Sequence, residues 1–465
     1  MLGIHDVAVW EPLLRLLVRD NAERLAAPGG YVVGHIGQGS WSVPAARPAF
    51  QLGRAALVSD IQSEWDAVGR IRDVLTEAGV DDVSFMLETP TPGKARLHFF
   101  DRGPAVDSGV GTHLGAILLV EGAVPEPWRR LPDPSPDAVP APTADAVLLE
   151  RTLRERLPDA IGATEEELAA VETRLGVTLP EELRALYRVT RARWEDLGED
   201  WSAAEHMAKA VGCELLSPEE VYLADAASRP APWQFAAMDA VETPPHAAVQ
   251  GLVGSPGWIV FGDNGGGDRI AVDLTPGPRG HLGQIVMLSH EENCGASLLF
   301  DSLTDMVLDR RPEAEHGADE HGADREERPP AVAWVNRSGV PSVAAAAHPG
   351  LEAISIGVWE GEPLSLGLLV GLPRLRTLSA YPRTLADPLE IAALGGLEFL
   401  ELAPEDWRVL LDAGAVPRGL SAAAIVVHGE RHPLPVVELA NELLALWDRP
   451  QITRTVVEVD LGSAE

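Results

Sequence analysis

Two stretches of this chain cannot be built into a core, and they decide what the rest can fold into. "LPDPSPDAVPAPTAD", from Leu131, alternates proline with small and acidic residues. Proline removes backbone donors and this composition leaves little to bury, so the stretch reads as an extended linker. "DRRPEAEHGADEHGADREERPPA", from Asp309, is charged and carries a tandem "EHGAD" starting at Glu315 and Glu320. His316 and His321 sit beside carboxylates there, but a flexible duplication has nothing to fix ligand geometry, so no metal is expected. These cuts divide the 465 residues into a small α+β domain over 1–130, a Pro-rich linker over 131–145, a middle domain over 146–309, a charged linker over 310–330 and a C-terminal domain over 331–465. The expected fold class is α+β multidomain.

Composition narrows the function classes. A hydrophobic fraction of 46% and a charged fraction of 23% are ordinary for folded domains. No apolar run reaches the length of a membrane span, and the opening "MLGIHDVAVWEPLLRLLVRD" lacks a basic segment ahead of a signal-type apolar core, so a cytoplasmic location is expected. Cys213 and Cys294 are too few and too far apart for a disulfide framework, and read as core thiols in a reducing compartment. The net charge of −34 argues against nucleic acid and anionic membrane, because neutralising phosphate needs clustered Lys and Arg. A basic protein partner remains open.

The first block opens with an amphipathic helix around "WEPLLRLLVRDNAERL" and a second around "IQSEWDAVGRIRDVLTEAG", closed by Gly79. Val83, Phe85 and Leu87, then Leu97 and Phe99, alternate on either side of Pro92-Gly93, which reads as a β-hairpin. His35, His98 and His113 are read as surface or core residues. In the middle block, Thr164 followed by Glu167 forms a capping box, and Leu168, Val171 and Leu175 line one helical face before Gly176. Pro180 opens a second helix carrying Leu183, Leu186 and Tyr187. "RARWEDLGEDWSAAEH" reads as a polar, mobile stretch, Ser217, Pro218 and Glu220 as a further helix start, "GWIVFGDNGGGDRIAVDLTPG" with "GQIVMLSH" as three strands, and "ASLLFDSLTDMVLD" as a closing helix.

The glycine loop of "FGDNGGGDRIAVDL" is judged by its flanks. A phosphate cradle opens onto a helix N-terminus, usually with a Lys; this loop leads into a strand and is bordered by Asp263 and Asp268, which repel phosphate. The alternating oxygen ligands and terminal Glu of a calcium loop are missing. The reading is therefore scaffold: Gly265, Gly266 and Gly267 supply positive φ between strands, and Asp263 and Asp268 bond the free amides.

This succession of motifs, from "IGATEEELAAVETRLGVTLPEELRALYRV" through "LLSPEEV" and "GWIVFGDNGGGDRIAVDL" to "GQIVMLSHE" and "ASLLFDSLTDMVL", resembles the SUKH superfamily, the Smi/Knr-type domain, over Ile161 to about Leu308. The matching positions are Gly162, Glu172, Leu179, Pro180, Gly262, Asp263, Gly267, Asp268 and Asp273. After "YRVT" the family commonly has an Asn-Gly turn, where this chain has "RARWEDLGEDW". The resemblance implies helices against a twisted, mostly antiparallel sheet, no catalytic residues and no cofactor. It also implies binding rather than chemistry: bacterial members are typically immunity proteins that neutralise polymorphic toxins, and fungal relatives are regulatory scaffolds. Candidate contacts for a basic toxin such as a nuclease are Trp194 and Trp201 as anchors, with Glu195, Asp196, Glu199 and Asp200 to pair with Lys or Arg; the alternative is that these tryptophans cap the domain's own core and the charges are solvated.

The last block repeats. "LEAISI" begins at Leu351, "LRTLSA" at Leu375, "LEFLEL" at Leu397 and "LSAAAIVV" at Leu420, the first three each followed by a helix-like piece. That pattern reads as a short, degenerate leucine-rich-repeat array, with Trp359, Arg383 and Glu405 where Asn or Cys is usual; the alternative is a helical bundle with accidental leucine spacing. "AVAWV" and "VVELANELLALWD" are its expected caps. Nucleophile elbows, HExxH helices, Walker loops and Cys-His pairs do not occur, so the chain reads as a non-enzymatic protein-binding protein, an immunity protein or else an intracellular scaffold.

Overall fold

The computed structural model describes residues 3–46, 61–91, 93–107, 115–198, 200–311, 329–429 and 431–462. Pro92, His113, Glu199 and the duplication with His316 and His321 lie outside the described residues. The chain forms two compact units, one of residues 1–123, 356–370 and 378–465, the other of 124–355 and 371–377. These limits differ from cuts at the two linkers because strand pairing joins distant stretches. Within the first unit Thr453–Asp460 runs antiparallel along Lys94–Asp101, and Ala116–Leu119 along Ala422–Ile425.

The chain opens with α1 (Val7–Asp20), capped where Asp6 accepts the Ala8 N–H; its buried Val9, Trp10, Leu13, Leu14 and Leu17 recur at helical spacing and form one inward stripe. Next come α2 (Ala22–Ala26), β1 (Tyr31–Gly37), β2 (Trp41–Ser42) and α3 (Gln62–Ala78). α3 stops at Gly79, whose φ of 65° is the left-handed cap. The hairpin of β3 (Asp82–Thr91) and β4 (Lys94–Asp101) follows, then β5 (Val106–Asp107) and β6 (Ala116–Leu119). His98 is buried and bonded to Glu88 at 3.1 Å, a core histidine as expected.

The second unit begins with α4 (Glu126–Arg129), then α5 (Ala146–Arg156), α6 (Glu165–Leu175), α7 (Glu181–Val189) and α8 (Trp201–Val211). After β7 (Glu214–Leu215), β8 (Tyr222–Leu223) and α9 (Trp233–Ala236) come β9 (Trp258–Asp263), β10 (Arg269–Asp273), β11 (Gln284–Leu288), β12 (Ser297–Phe300) and α10 (Leu303–Val307). The sheet order is β12-β11-β10-β9-β7, with β8 also on β9; the pairings β9–β10, β10–β11, β11–β12, β7–β9 and β8–β9 are antiparallel. Ile259, Phe261, Ile270 and Val272 face the helices and share one core with Leu168, Leu183, Leu186 and Met207.

Several expectations are corrected here. The stretch expected to be mobile holds a 3₁₀ turn, Trp194–Leu197, and then α8, capped where Asp200 accepts the Ser202 N–H. Ser217 does not start a helix: its N–H and hydroxyl both bond the Glu220 carboxylate at 3.0 and 2.8 Å, and the closed turn feeds β8. The closing helix is instead a strand, β12, followed by a helix restarted at Ser302, which accepts the Asp305 N–H. The proline stretch is extended but fastened as a strap. Asp133 and Gln250 exchange hydrogen bonds of 2.8 and 2.9 Å, the Ser135 hydroxyl donates to Pro276 O, the Leu282 N–H donates to Val139 O, and Ala141 is buried. Prolines remove donors from such a segment, but its carbonyls still need partners.

The remaining elements are β13 (Val332–Val335), α11 (Val343–Ala346), β14 (Ala353–Ile356), β15 (Thr377–Ala380), β16 (Phe399–Leu402), α12 (Pro404–Asp412), β17 (Ala422–Ile425), α13 (Pro433–Leu446) and β18 (Thr453–Asp460). In the first unit one sheet runs β18-β4-β3-β1-β2, and another run is β15-β16-β17-β6-β5, with β16 and β17 parallel. Two of the three helix-like pieces are 3₁₀ turns, Gly367–Leu369 and Pro388–Ala393; the third is α12. Within the second unit the buried Glu352 meets Arg130 at 3.1 Å, Arg376 at 3.3 Å and Arg374, as a buried carboxylate must be paired.

Candidate protein-binding site

The residues that carry the resemblance make contacts within the fold. A Cβ on Gly162 would lie 2.0 Å from Arg188 O, so only glycine lets the chain pass α7 while the Ala163 N–H donates to Tyr187 O. Glu172 accepts the Leu179 N–H at 2.9 Å and the Arg184 guanidinium at 2.8 Å, which locks the α6–α7 turn over buried Leu179, with Pro180 at the N-cap of α7. Gly262 admits Cys213, whose sulfur would lie 2.5 Å from a Cβ there. Burial pushes the Cys213 thiol up to about 12, consistent with an inert core thiol.

The glycine loop is self-satisfied. Asp263 accepts the Gly265 N–H at 2.7 Å and pairs with Arg269. Two further loop amides go to Asn264, which accepts from Gly266 at 2.7 Å and from Asp268 at 3.1 Å. Asp268 itself accepts the His290 N–H and ring at 3.0 and 2.8 Å, and the Asn264 amide at 2.7 Å. The expected roles are thus corrected twice: Asn264, not Asp268, bonds the amides, and positive φ belongs to Gly265 and Gly267 but not to Gly266. The backbone N–H of His290 donating to Asp268 holds that carboxyl below its usual range.

Asp273 at the far end of β10 is 0% exposed. It accepts from the Trp258 indole at 3.0 Å, the Thr275 N–H at 2.7 Å, the Thr275 hydroxyl at 3.2 Å and the Gln284 amide at 2.9 Å. Burial pushes its carboxyl up to about 6 against the hydrogen bonds that favour the anion. It is a buried pin between β9, β10 and β11, which sequence spacing alone did not distinguish from an exposed aspartate.

The candidate contact loop has the opposite character. Arg191 grips Asp196 at 2.6 and 3.0 Å and reaches Glu167, while Arg193 bonds Glu167 at 2.8 Å and also Glu219. Leu197 packs on the core, and Gly198, at φ 65°, turns the chain toward α8. On this fixed turn the Trp194 and Trp201 rings lie 4.8 Å apart, with 37% and 80% exposure. Trp201 therefore does not cap the core. Among the predicted acids, Asp196 is held by Arg191, which keeps its carboxyl below the usual range; Asp200 caps α8; and Glu195 is exposed. Arg191 and Arg193, which make the loop rigid, were not anticipated from sequence.

The middle of the chain is thus an α+β module whose glycine loop is bonded inward and whose Trp194–Trp201 pair is exposed. Residues 162–309 match the model of the SMI1 / KNR4 family (SUKH-1), so this chain carries a domain of that family in its middle. Over 179 residues the chain is 25% identical to a protein named glucan synthesis regulatory protein of Neurospora crassa, covering 31% of this chain and 33% of that one. Shorter stretches are 43% identical over 47 residues to a KNR4/SMI1 homolog of Yarrowia lipolytica, covering 10% and 7%, and 39% identical over 49 residues to the cell wall biosynthesis/cell cycle regulator smi1 of Schizosaccharomyces pombe, covering 10% of each. The chain spans at most 33% of the length of these curated relatives.

Proposed function

We propose that this chain is a non-enzymatic protein-binding protein that acts in the cytoplasm as a bacterial immunity protein, covering a basic toxin such as a nuclease. The observation that carries the reading is the Trp194–Trp201 pair, exposed on a turn fixed by Arg191 and Arg193. Rigid, exposed aromatics supply contact area with little ordering cost, which is how interface anchors work. The net charge of −34 supports steering toward a cationic partner, and it speaks against nucleic acid or anionic membrane as the partner. No cofactor enters this reading.

A second reading is an intracellular scaffold or regulatory protein without a toxin partner, favoured by the regulator names of the fungal relatives. One experiment separates them. A candidate basic toxin, sought among the products of the genes neighbouring this one, is titrated calorimetrically into the full chain, and its toxic activity is measured across the titration. Stoichiometric binding with loss of toxicity supports the immunity reading; binding without loss of toxicity supports the scaffold.

A further inference from the structure

Within the second unit, a cleft of about 690 Å³ opens between α8, α10 and β12. Its floor is apolar, with Met287 on β11, Leu299 and Phe300 on β12, and Met306 on α10. Its rim is basic, with Arg156 at the end of α5, Lys209 on α8 and Arg311 after α10. Arg156 is held in place by donating to Ala210 O at 2.9 Å and Val307 O at 2.7 Å, and the Arg311 guanidinium lies 5.7 Å from the Phe300 ring centre. His206 also lines the cleft, and Asp309 is the single carboxylate among its described lining residues. In a chain of net charge −34 with only two lysines, Lys94 and Lys209, this reverses the sign of the surface as a whole.

The position of the cleft adds a second constraint. β12 is the end strand of its sheet. The register shifts where Val286 pairs with Leu298 and Ile285 with Phe300, which lets the consecutive Leu299 and Phe300 both line the cleft; Ile270 on β10 and Met287 on β11 line it too, so it runs over the sheet face out to the edge strand β12. A strand edge offers backbone donors and acceptors to an added strand, a recurrent way of holding extended peptides.

We propose that this cleft binds an acidic, extended segment of a partner protein, laid beside β12 with a large apolar side chain on the Leu299–Phe300 floor and carboxylates against Arg156, Lys209 and Arg311. The charge sign fixes the chemistry of the partner segment, and the edge fixes its conformation. This site takes a ligand of the opposite charge from the Trp194–Trp201 face and stands or falls separately from it.

The test uses the full chain and a short, end-blocked, fluorescein-labelled peptide alternating glutamate with leucine, followed by fluorescence anisotropy. The expected result is saturable binding that weakens with salt, falls roughly tenfold or more in the double variant Lys209→Glu with Arg311→Glu, and falls similarly when alternate peptide amides are N-methylated. Both substituted side chains are exposed, so circular dichroism and melting temperature should be unchanged; Leu299→Ser provides an independent variant at the floor. The proposal is overturned if the acidic peptide fails to saturate, if a lysine-for-glutamate peptide binds as well, if both sets of variants bind like the parent, or if dodecanoate binds the cleft while the peptide does not.

Discussion

Two acidic loops of the same unit, "FGDNGGGDR" and "RWEDLGEDW", look alike in composition and are built for opposite ends. In the first, Asp263, Asn264, Asp268, Arg269 and His290 bond one another and the Gly265, Gly266 and Asp268 amides, so these polar groups are turned onto the loop itself. In the second, Arg191 and Arg193 take up the polar groups at the base, and that rigidity holds two indoles in solvent. Acidic loops are therefore told apart by where their charges are spent. Changes in the first should alter stability without altering recognition, and changes in the second should do the reverse.

The largest effect belongs to the tryptophan loop. Trp201→Ala should weaken the complex with the basic partner by about 2–4 kcal/mol, since exposed aromatic anchors dominate such interfaces, with no change in melting temperature. On the scaffold side, Asp273→Ala should cost about 2–4 kcal/mol in urea unfolding, because it orphans the Trp258, Thr275 and Gln284 donors in a buried site. Its pH dependence carries a sign. The folded carboxyl, raised to about 6, holds its proton more tightly than an unfolded aspartate at about 3.9. Its contribution is thus fully present below the unfolded value and lost as pH rises through the folded one, so the gap between parent and Asp273→Ala should widen as pH falls from 6 to 4. Asp268, whose carboxyl is held low, should behave oppositely, contributing above the unfolded value and losing that contribution as pH falls through the folded one.

Gly267→Val should cost about 1–3 kcal/mol, because φ of 102° is strained for any side chain, while partner binding per folded molecule stays unchanged. The smallest effect is kinetic. Glu195→Ser should slow association a few-fold, roughly, at low salt and hardly at all at high salt, measured by stopped flow. Asp196 and Asp200 are poorer probes of steering, since the first is bonded to Arg191 and the second caps α8.

Much of the domain was legible because its signals are local. The Thr164–Glu167 capping box and the strand–glycine–strand hairpin are written within a few residues each, and both appear as read. What stayed hidden depends on distant partners. α8 buries residues only toward its end, at Met207, Ala210 and Val211, so its start reads like loop. Ser217 and Glu220 spell a cap that closes a turn instead, because Tyr222 and Leu223 pair with β9. Asp273 reads like Asp268 until Trp258 and Gln284 close over it. Likewise the Pro-rich stretch reads as a free spacer until Gln250, Pro276 and Leu282 hold it.

The central claim is that recognition resides in the tryptophan turn and stability in the glycine loop. The most direct test measures partner affinity by calorimetry and melting temperature together for the double variant Trp194→Ala with Trp201→Ala and for Gly267→Val. The account predicts that the first loses most of its affinity at an unchanged melting temperature, and that the second melts earlier but binds like the parent. Parental affinity in the tryptophan variant, or lost affinity in a fully folded Gly267→Val, would contradict it.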